Sequence, residues 1–153
     1  MSRRPDVAMT PGEVTAMLTA SRKMQLATIN RDGTPHLVAM YYGLLDGRIA
    51  FWTYRTSQKA RNLSRDPRLT CLVEDGAEYF DLRGVQVNGV ARTVTEPEEL
   101  ARIGRLVAGR MPGIPPEALE EYVAHGLRKR WGYVVEPRAV TSWDHGKLLP
   151  AGG

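Results

Sequence analysis

From Met24 onward apolar residues recur at every second position, and short turns interrupt the alternation: MQLATIN, then Arg31-Asp32-Gly33, then PHLVAMYYGLL, then Asp46-Gly47, then RIAFWTY. Period two is the side-chain repeat of a pleated strand, and an Asp-Gly pair between two such runs supplies the positive φ angles of a tight hairpin. The stretch predicts a three-stranded antiparallel meander. Connections this short leave no room for the crossover helix of a parallel βαβ unit.

The flanking segments change period. Thr10-Pro11-Gly12-Glu13 offers a capping hydroxyl, a proline at the first helical position and the glutamate of a capping box, and Val14, Met17 and Leu18 then share one face, which predicts a short helix ending near Ser21. Residues 56–64 follow the third strand directly and are stopped by Asp66-Pro67, as a second short helix would be. RLTCLVED and the run from Tyr79 to Val94 predict two more strands, the second long. Glu96-Pro97-Glu98-Glu99 and Pro115-Pro116-Glu117 each open a helix, and RWGYVVEP and AVTSWD read as a closing strand and a short final one. So many antiparallel strands with so few helices close most readily into a barrel, which removes exposed edges. The expected class is mainly β (α+β), a six- to seven-stranded antiparallel barrel with short flanking helices. It forms one domain over residues 10–146, with flexible tails at 1–9 and 147–153.

Several function classes recede on composition. No apolar run approaches the ~20 residues of a membrane helix, and MSRRPDVAM lacks the apolar stretch of a secretory signal, so the expectation is a cytoplasmic protein without a membrane partner. Cys71 is the single cysteine; it allows no internal disulfide and reads as a buried small residue within LTCLV. His36, His125 and His145 lie far apart without ligand spacing, so no metal site is expected. A net charge of +4 is compatible with phosphates, carboxylates or nucleic acid, but the arginines are dispersed and no helix-turn-helix pattern appears, so nucleic acid is not expected.

The densest chemistry lies where the third strand meets the second helix, Thr53-Tyr54-Arg55-Thr56-Ser57-Gln58-Lys59. The first N–H groups of a helix lack intrahelical partners and carry the positive end of the macrodipole, so hydroxyls and cations at that point suit a phosphate. The same pattern is also that of a helix capped by Thr56 or Ser57 with Lys59 and Arg61 in solvent, and the spacing alone leaves both open.

LATINRDGTPHLVAMYY followed by GRIAFWTYRTSQKARNLSRDPRLTCLVEDG resembles the flavin-binding proteins related to pyridoxamine 5′-phosphate oxidase, in which a Leu-Ala-Thr strand, an Asp-Gly-x-Pro turn, a second strand and a Ser-x-Lys-x-x-Asn-Leu segment occur in this order. The resemblance spans about residues 10–144 and is concentrated between Leu26 and Glu74. It implies an FMN-binding type of split barrel that forms a homodimer with two cofactor sites at the subunit interface. The phosphate would lie on Ser57 and Lys59 with Arg55 and Thr56 close by, and the ring against Val38, Ala39, Met40 and Thr53. Gln86 of the long fifth strand and a C-terminal aromatic, Trp131 or Trp143, would cover the ring from the other chain.

True pyridoxamine phosphate oxidases are longer and carry a C-terminal basic motif, where this chain has HGKLLPAGG, so vitamin B6 oxidation is not expected. SQKARNL and an arginine-rich, lysine-poor composition are more similar to the actinobacterial branch that uses the deazaflavin coenzyme F420, whose anionic tail would suit Arg55, Arg61 and Lys23. The implied activity is an F420-dependent reductase passing a hydride to an unsaturated or conjugated small molecule. The alternatives are an FMN-dependent oxidase or reductase and a non-catalytic module holding F420, FMN, haem or a fatty acid. No catalytic residue is assigned; a proton would come from solvent or from Tyr41, Tyr42 or Tyr79.

Overall fold

A computed structural model describes residues 6–150; the expected tail residues 1–5 and 151–153 lie outside the described residues. The elements run α1 (Pro11–Ala20), β1 (Lys23–Ile29), β2 (Pro35–Tyr41), β3 (Gly43–Leu45), β4 (Arg48–Tyr54), α2 (Gln58–Arg65), β5 (Arg68–Asp75), β6 (Arg83–Val94), α3 (Pro97–Ala108), α4 (Leu119–Leu127) and β7 (Arg130–Asp144). Short 3-10 turns at Tyr79–Asp81 and Pro116–Ala118 lie between them, and a third, His145–Leu148, follows β7.

The strands form one antiparallel sheet in the order β2-β1-β5-β6-β7-β4-β3. Its two ends are a single stretch of chain, because only Tyr42 separates β2 from β3. β2 pairs with β1 over its whole length while β3 pairs with β4, so this bent segment closes the sheet on itself and, counted as one strand, makes a six-stranded barrel. The meander expected for 24–54 is corrected accordingly: the second run turns away at Tyr42 and only its last three residues reach β4. Tyr42 is fully buried; its backbone N–H donates to Arg22 O (3.2 Å) and its hydroxyl to Leu18 O (2.6 Å). Arg110 lies 4.9 Å over the Tyr42 ring and donates to the carbonyls of Ser21 and Thr19 at the end of α1, so the bend is held by α1 and by the end of α3 together.

The β3–β4 hairpin turns on Asp46 and Gly47, both at positive φ (51° and 81°), the conformation that the Asp-Gly pair anticipates. Thr10 forms the capping box with Glu13 at the start of α1. The expected break between a closing and a final strand does not occur: β7 is one strand of 15 residues. Pro137 cannot donate to a ladder, and a register shift opposite Asn88 and Gly89 admits it without ending the strand. Beyond Glu136, β7 pairs only with β6, and there Val140 is 52% exposed.

Two apolar clusters flank the same wall. One fills the barrel with Met24, Leu26, Ile49, Phe51, Cys71, Val85, Val87, Tyr133 and others, with Ala60 and Leu63 of α2 as its lid. The other lies outside β3, β4 and β7, where Ala50, Trp52 and Val134 meet Leu100, Ile103, Val107 and Val123 of α3 and α4. β4 is therefore buried on both faces. Trp52 fits against α3 and α4 because a Cβ on Gly104 or Gly126 would sit 2.7 or 2.5 Å from its ring. The outer side of β2, β1, β5 and β6 has no such cover, and Leu37 is 68% exposed there.

Candidate functional site

The β3–β4 ladder ends at Gly43 opposite Ala50; past that point β2 follows β1 and β4 follows β7, and the wall splits. α2 packs at this split, and its first turn stands at the end of β4. Ser57, in extended backbone, is the N-cap: its Oγ accepts from Ala60 N (3.2 Å) and receives the Thr53 hydroxyl at 3.4 Å. The first i to i−4 bond of α2 runs from Arg61 N to Ser57 O, so the amides of Gln58 and Lys59 precede it and face outward without an intrahelical acceptor. Thr56 is exposed and does not cap.

Lys59 is half-buried and, among the described residues, forms no ion pair. Burial pushes its ammonium below the ordinary lysine value, the condition under which an arriving anion gains most. Arg55 reaches the same junction but is engaged: its amide donates to Lys129 O (3.0 Å) and its guanidinium to Arg128 O, tying the end of β4 to the start of β7. Arg130 stacks over Tyr54 (4.2 Å) and Trp52 (5.0 Å).

The remaining residues singled out by sequence divide into two groups. Thr53 is buried, and Trp131 stands directly opposite it in the β4–β7 ladder, half-buried against the barrel core. Val38 and Met40 of β2 also pack against that core, whereas Ala39 faces outward. Gln86 lies on β6 opposite Leu72 and Thr141, separated by β7 from β4, so one chain does not bring it to Ser57. Trp143 is opposite Gly84 and its indole fills the space a Cβ there would need, which sets it apart from Trp131.

The tyrosines proposed as proton sources differ as sharply. The Tyr42 hydroxyl is committed to Leu18 O, and burial raises its value above that of free tyrosine. Tyr41 packs in the cluster under α3 and α4, and Tyr79 is exposed beside His145. Tyr133, which sequence reasoning passed over, is buried in the barrel with an unpartnered hydroxyl, pushed up to about 12 by desolvation. His36 faces inward opposite Thr28 with its Nδ1 buried and unpartnered. Burial pushes the Cys71 thiol up to about 12, which leaves it without thiolate character at neutral pH. No cluster of metal-ligating side chains occurs among the described residues.

Asn62 and Thr28 stand in the Ser-x-Lys-x-x-Asn-Leu and Leu-Ala-Thr motifs, but the sequence assigned neither a role. The amide of Asn62, buried beneath α2, donates to Thr28 Oγ1 and Asn30 Oδ1, both at 3.0 Å. The signals were its place in the Ser-x-Lys-x-x-Asn-Leu motif and a polar residue between Ala60 and Leu63, on the side of the helix that faces the barrel.

Comparison with known proteins agrees with the fold. The chain aligns along all of its length, and 96% of the other's, with the crystal structure of a conserved hypothetical protein from Mycobacterium tuberculosis, at 44% identity and a TM-score of 0.91. An F420 reductase shares the fold at 23% identity and a TM-score of 0.60, over 82% of this chain and 93% of that one. The haem storage protein HutZ of Vibrio cholerae does so at 16% identity and a TM-score of 0.68, over 85% and 92%. Among curated proteins none matches the sequence. The sequence pattern of pyridoxamine 5′-phosphate oxidase matches residues 10–144, and with that match the chain belongs to the pyridoxamine 5′-phosphate oxidase family.

Proposed function

We propose that the protein is a homodimeric oxidoreductase that binds F420, with the cofactor phosphate on Ser57, Lys59 and the first amides of α2. The observation that carries this reading is the Ser57 helix start at the split in the barrel, where a half-buried lysine without an acidic partner adjoins free backbone donors. Thr53, Val38, Met40 and Trp131 border the same region and would bear the ring. The uncovered wall of β2, β1, β5 and β6, with Leu37 exposed, supports a second copy as the partner, whose Gln86 would then complete the site. The bound deazaflavin would supply a hydride to an electron-poor double bond, and solvent the proton. The chain's own part is to hold the phosphate, fix the ring and keep water from one of its faces.

FMN would occupy the same phosphate site, and the fold shared with a haem storage protein supports a second reading as a non-catalytic carrier. A side-by-side titration with F420 and FMN, followed by tryptophan fluorescence, separates the two cofactors, because Trp131 lies opposite Thr53, and tight binding without turnover would mark the carrier. Micromolar or tighter binding of F420 alone, about -8 kcal/mol or better, is the expected result. Preference for FMN moves the protein to the flavin branch. Binding of neither rejects the cofactor reading.

A further inference from the structure

Asn62 is fully buried, and all four hydrogen-bonding positions of its amide are filled. Nδ2 donates to Thr28 Oγ1 and Asn30 Oδ1, and Oδ1 accepts from Gln58 Nε2 (2.9 Å) and Arg65 Nη2 (3.2 Å). Arg65 in turn donates to Ile29 O. These partners lie on two different parts of the proposed site. Gln58 sits between Ser57 and Lys59 in the chain, at the end of α2 that offers its amides. Asn30 donates through Nδ2 to Thr34 Oγ1 (3.2 Å) and through its amide to Thr34 O (2.9 Å), and Thr34 is fastened to Asp32 and directly precedes β2, the strand of Val38 and Met40.

Ala60 and Leu63 already supply the apolar contact that keeps α2 on the barrel. Such contact is non-directional, so it allows a helix to slide or rotate by small amounts, whereas hydrogen bonds fix distance and angle. An unpaired amide would be costly to bury in this place, and its complete satisfaction marks a specified geometry. We infer that Asn62 is a positioning residue for cofactor binding: it fixes the Ser57–Lys59 end of α2 relative to the hairpin that launches β2, and so sets the separation between phosphate and ring. The inference rests on the phosphate reading of the α2 start.

The test compares ligand pairs that differ only at the phosphate end: FMN against riboflavin, and F420 against its phosphate-free deazaflavin core. It uses wild type, Asn62→Asp, Asn62→Leu and Lys59→Gln. Asn30→Ala serves as a further variant because Asn30 is half-exposed and its loss cuts the link to the hairpin without opening the core. In variants that melt cooperatively, the phosphorylated ligand is expected to bind about tenfold more weakly while its phosphate-free counterpart is unchanged. If both members of a pair weaken equally, or neither does, in a folded Asn62 or Asn30 variant, the inference is overturned. Lys59→Gln keeps the two claims apart. If wild type shows no preference for the phosphorylated ligand, or Lys59→Gln retains the preference, the phosphate reading itself fails and the inference with it. If Lys59→Gln abolishes the preference while the Asn62 variants keep it, only the role of Asn62 is rejected.

Discussion

The two halves of the barrel wall are built to opposite specifications. Around β4 both faces are buried, with Ile49 and Phe51 in the barrel and Ala50 and Trp52 under α3 and α4. Around β2 the inward residues Val38 and Met40 are only partly buried, and the outward face ends in bare Leu37. A shallow groove of about 490 Å³ runs along that bare side between β1, β5 and β6, past Ala27, Ile29, Thr70 and Val90. One wall is finished within the chain. The other leaves apolar side chains such as Leu37 in the open, the pattern on which the proposed homodimer rests.

The sharpest way to break this comparison is to remove the centre of the finished wall. Trp52→Ala is expected to cost about 3–5 kcal/mol in chemical denaturation, at any protein concentration, because the cavity lies within one chain. A loss below about 1 kcal/mol would mean that α3 and α4 are not bound as described. Gly126→Ala pushes a methyl into the Trp52 ring from the opposite side and should cost about 1–3 kcal/mol. If that variant is neutral, the close contact between α4 and β4 is not tight in solution.

On the bare wall the expected effect is of another kind. Leu37→Lys should leave the circular dichroism spectrum and the unfolding of the single chain within about 0.5 kcal/mol of wild type, as exposed substitutions do. If the proposed homodimer pairs through this wall, the substitution should shift sedimentation from dimer to monomer. A dimer that survives Leu37→Lys would place the partner surface elsewhere.

The last effect, at Lys59, is on ligand binding. Because burial lowers its pKa in the free protein and an anion would raise it again, phosphate-ligand affinity should fall as pH rises through the lowered value, where free Lys59 loses its proton. The same lowering penalises the folded state while Lys59 is charged, so this contribution to stability improves as pH rises from the lowered value toward that of unfolded lysine. Lys59→Gln should bind about tenfold more weakly and with a flat pH profile over that range. An unchanged slope in the variant would assign the titration to another group.

Local chemistry made much of this legible in the sequence. Asp46-Gly47 announced a turn that needs two positive φ angles, and Thr10 with Glu13 announced a helix start, since both depend on residues a few positions apart. The α2 start was legible for the same reason, though whether Thr56 or Ser57 capped it was not. What could not be read depends on distant partners. PHLVAMYYGLL alternates without interruption, and the bend at Tyr42 exists because Leu18 O, Arg22 O and Arg110 meet there from three other places in the chain. Pro137 looked like the end of a strand because the bulge that accommodates it is a property of the β6 pairing. Asn62 was legible as part of the Ser-x-Lys-x-x-Asn-Leu motif, but what it does was not until the fold placed Thr28 and Asn30 around it.

The position of β7 between β6 and β4 bears on the order in which the molecule assembles. The β1–β2, β3–β4 and β5–β6 pairs each join strands close in sequence, whereas β7 must return to β4 across the whole α3–α4 excursion, and closing so long a loop is entropically slow. β7 is therefore expected to acquire amide protection last in a pulse-labelled refolding experiment; protection of β7 ahead of β1 and β2 would reverse that order. Trp131 travels with this strand, so a chain that has completed everything else already presents the Ser57 helix start with no aromatic opposite Thr53. On the proposed function, newly made protein would thus have a grip for phosphate before it has a wall for the ring, and full cofactor affinity would serve as a signal that the last strand has docked.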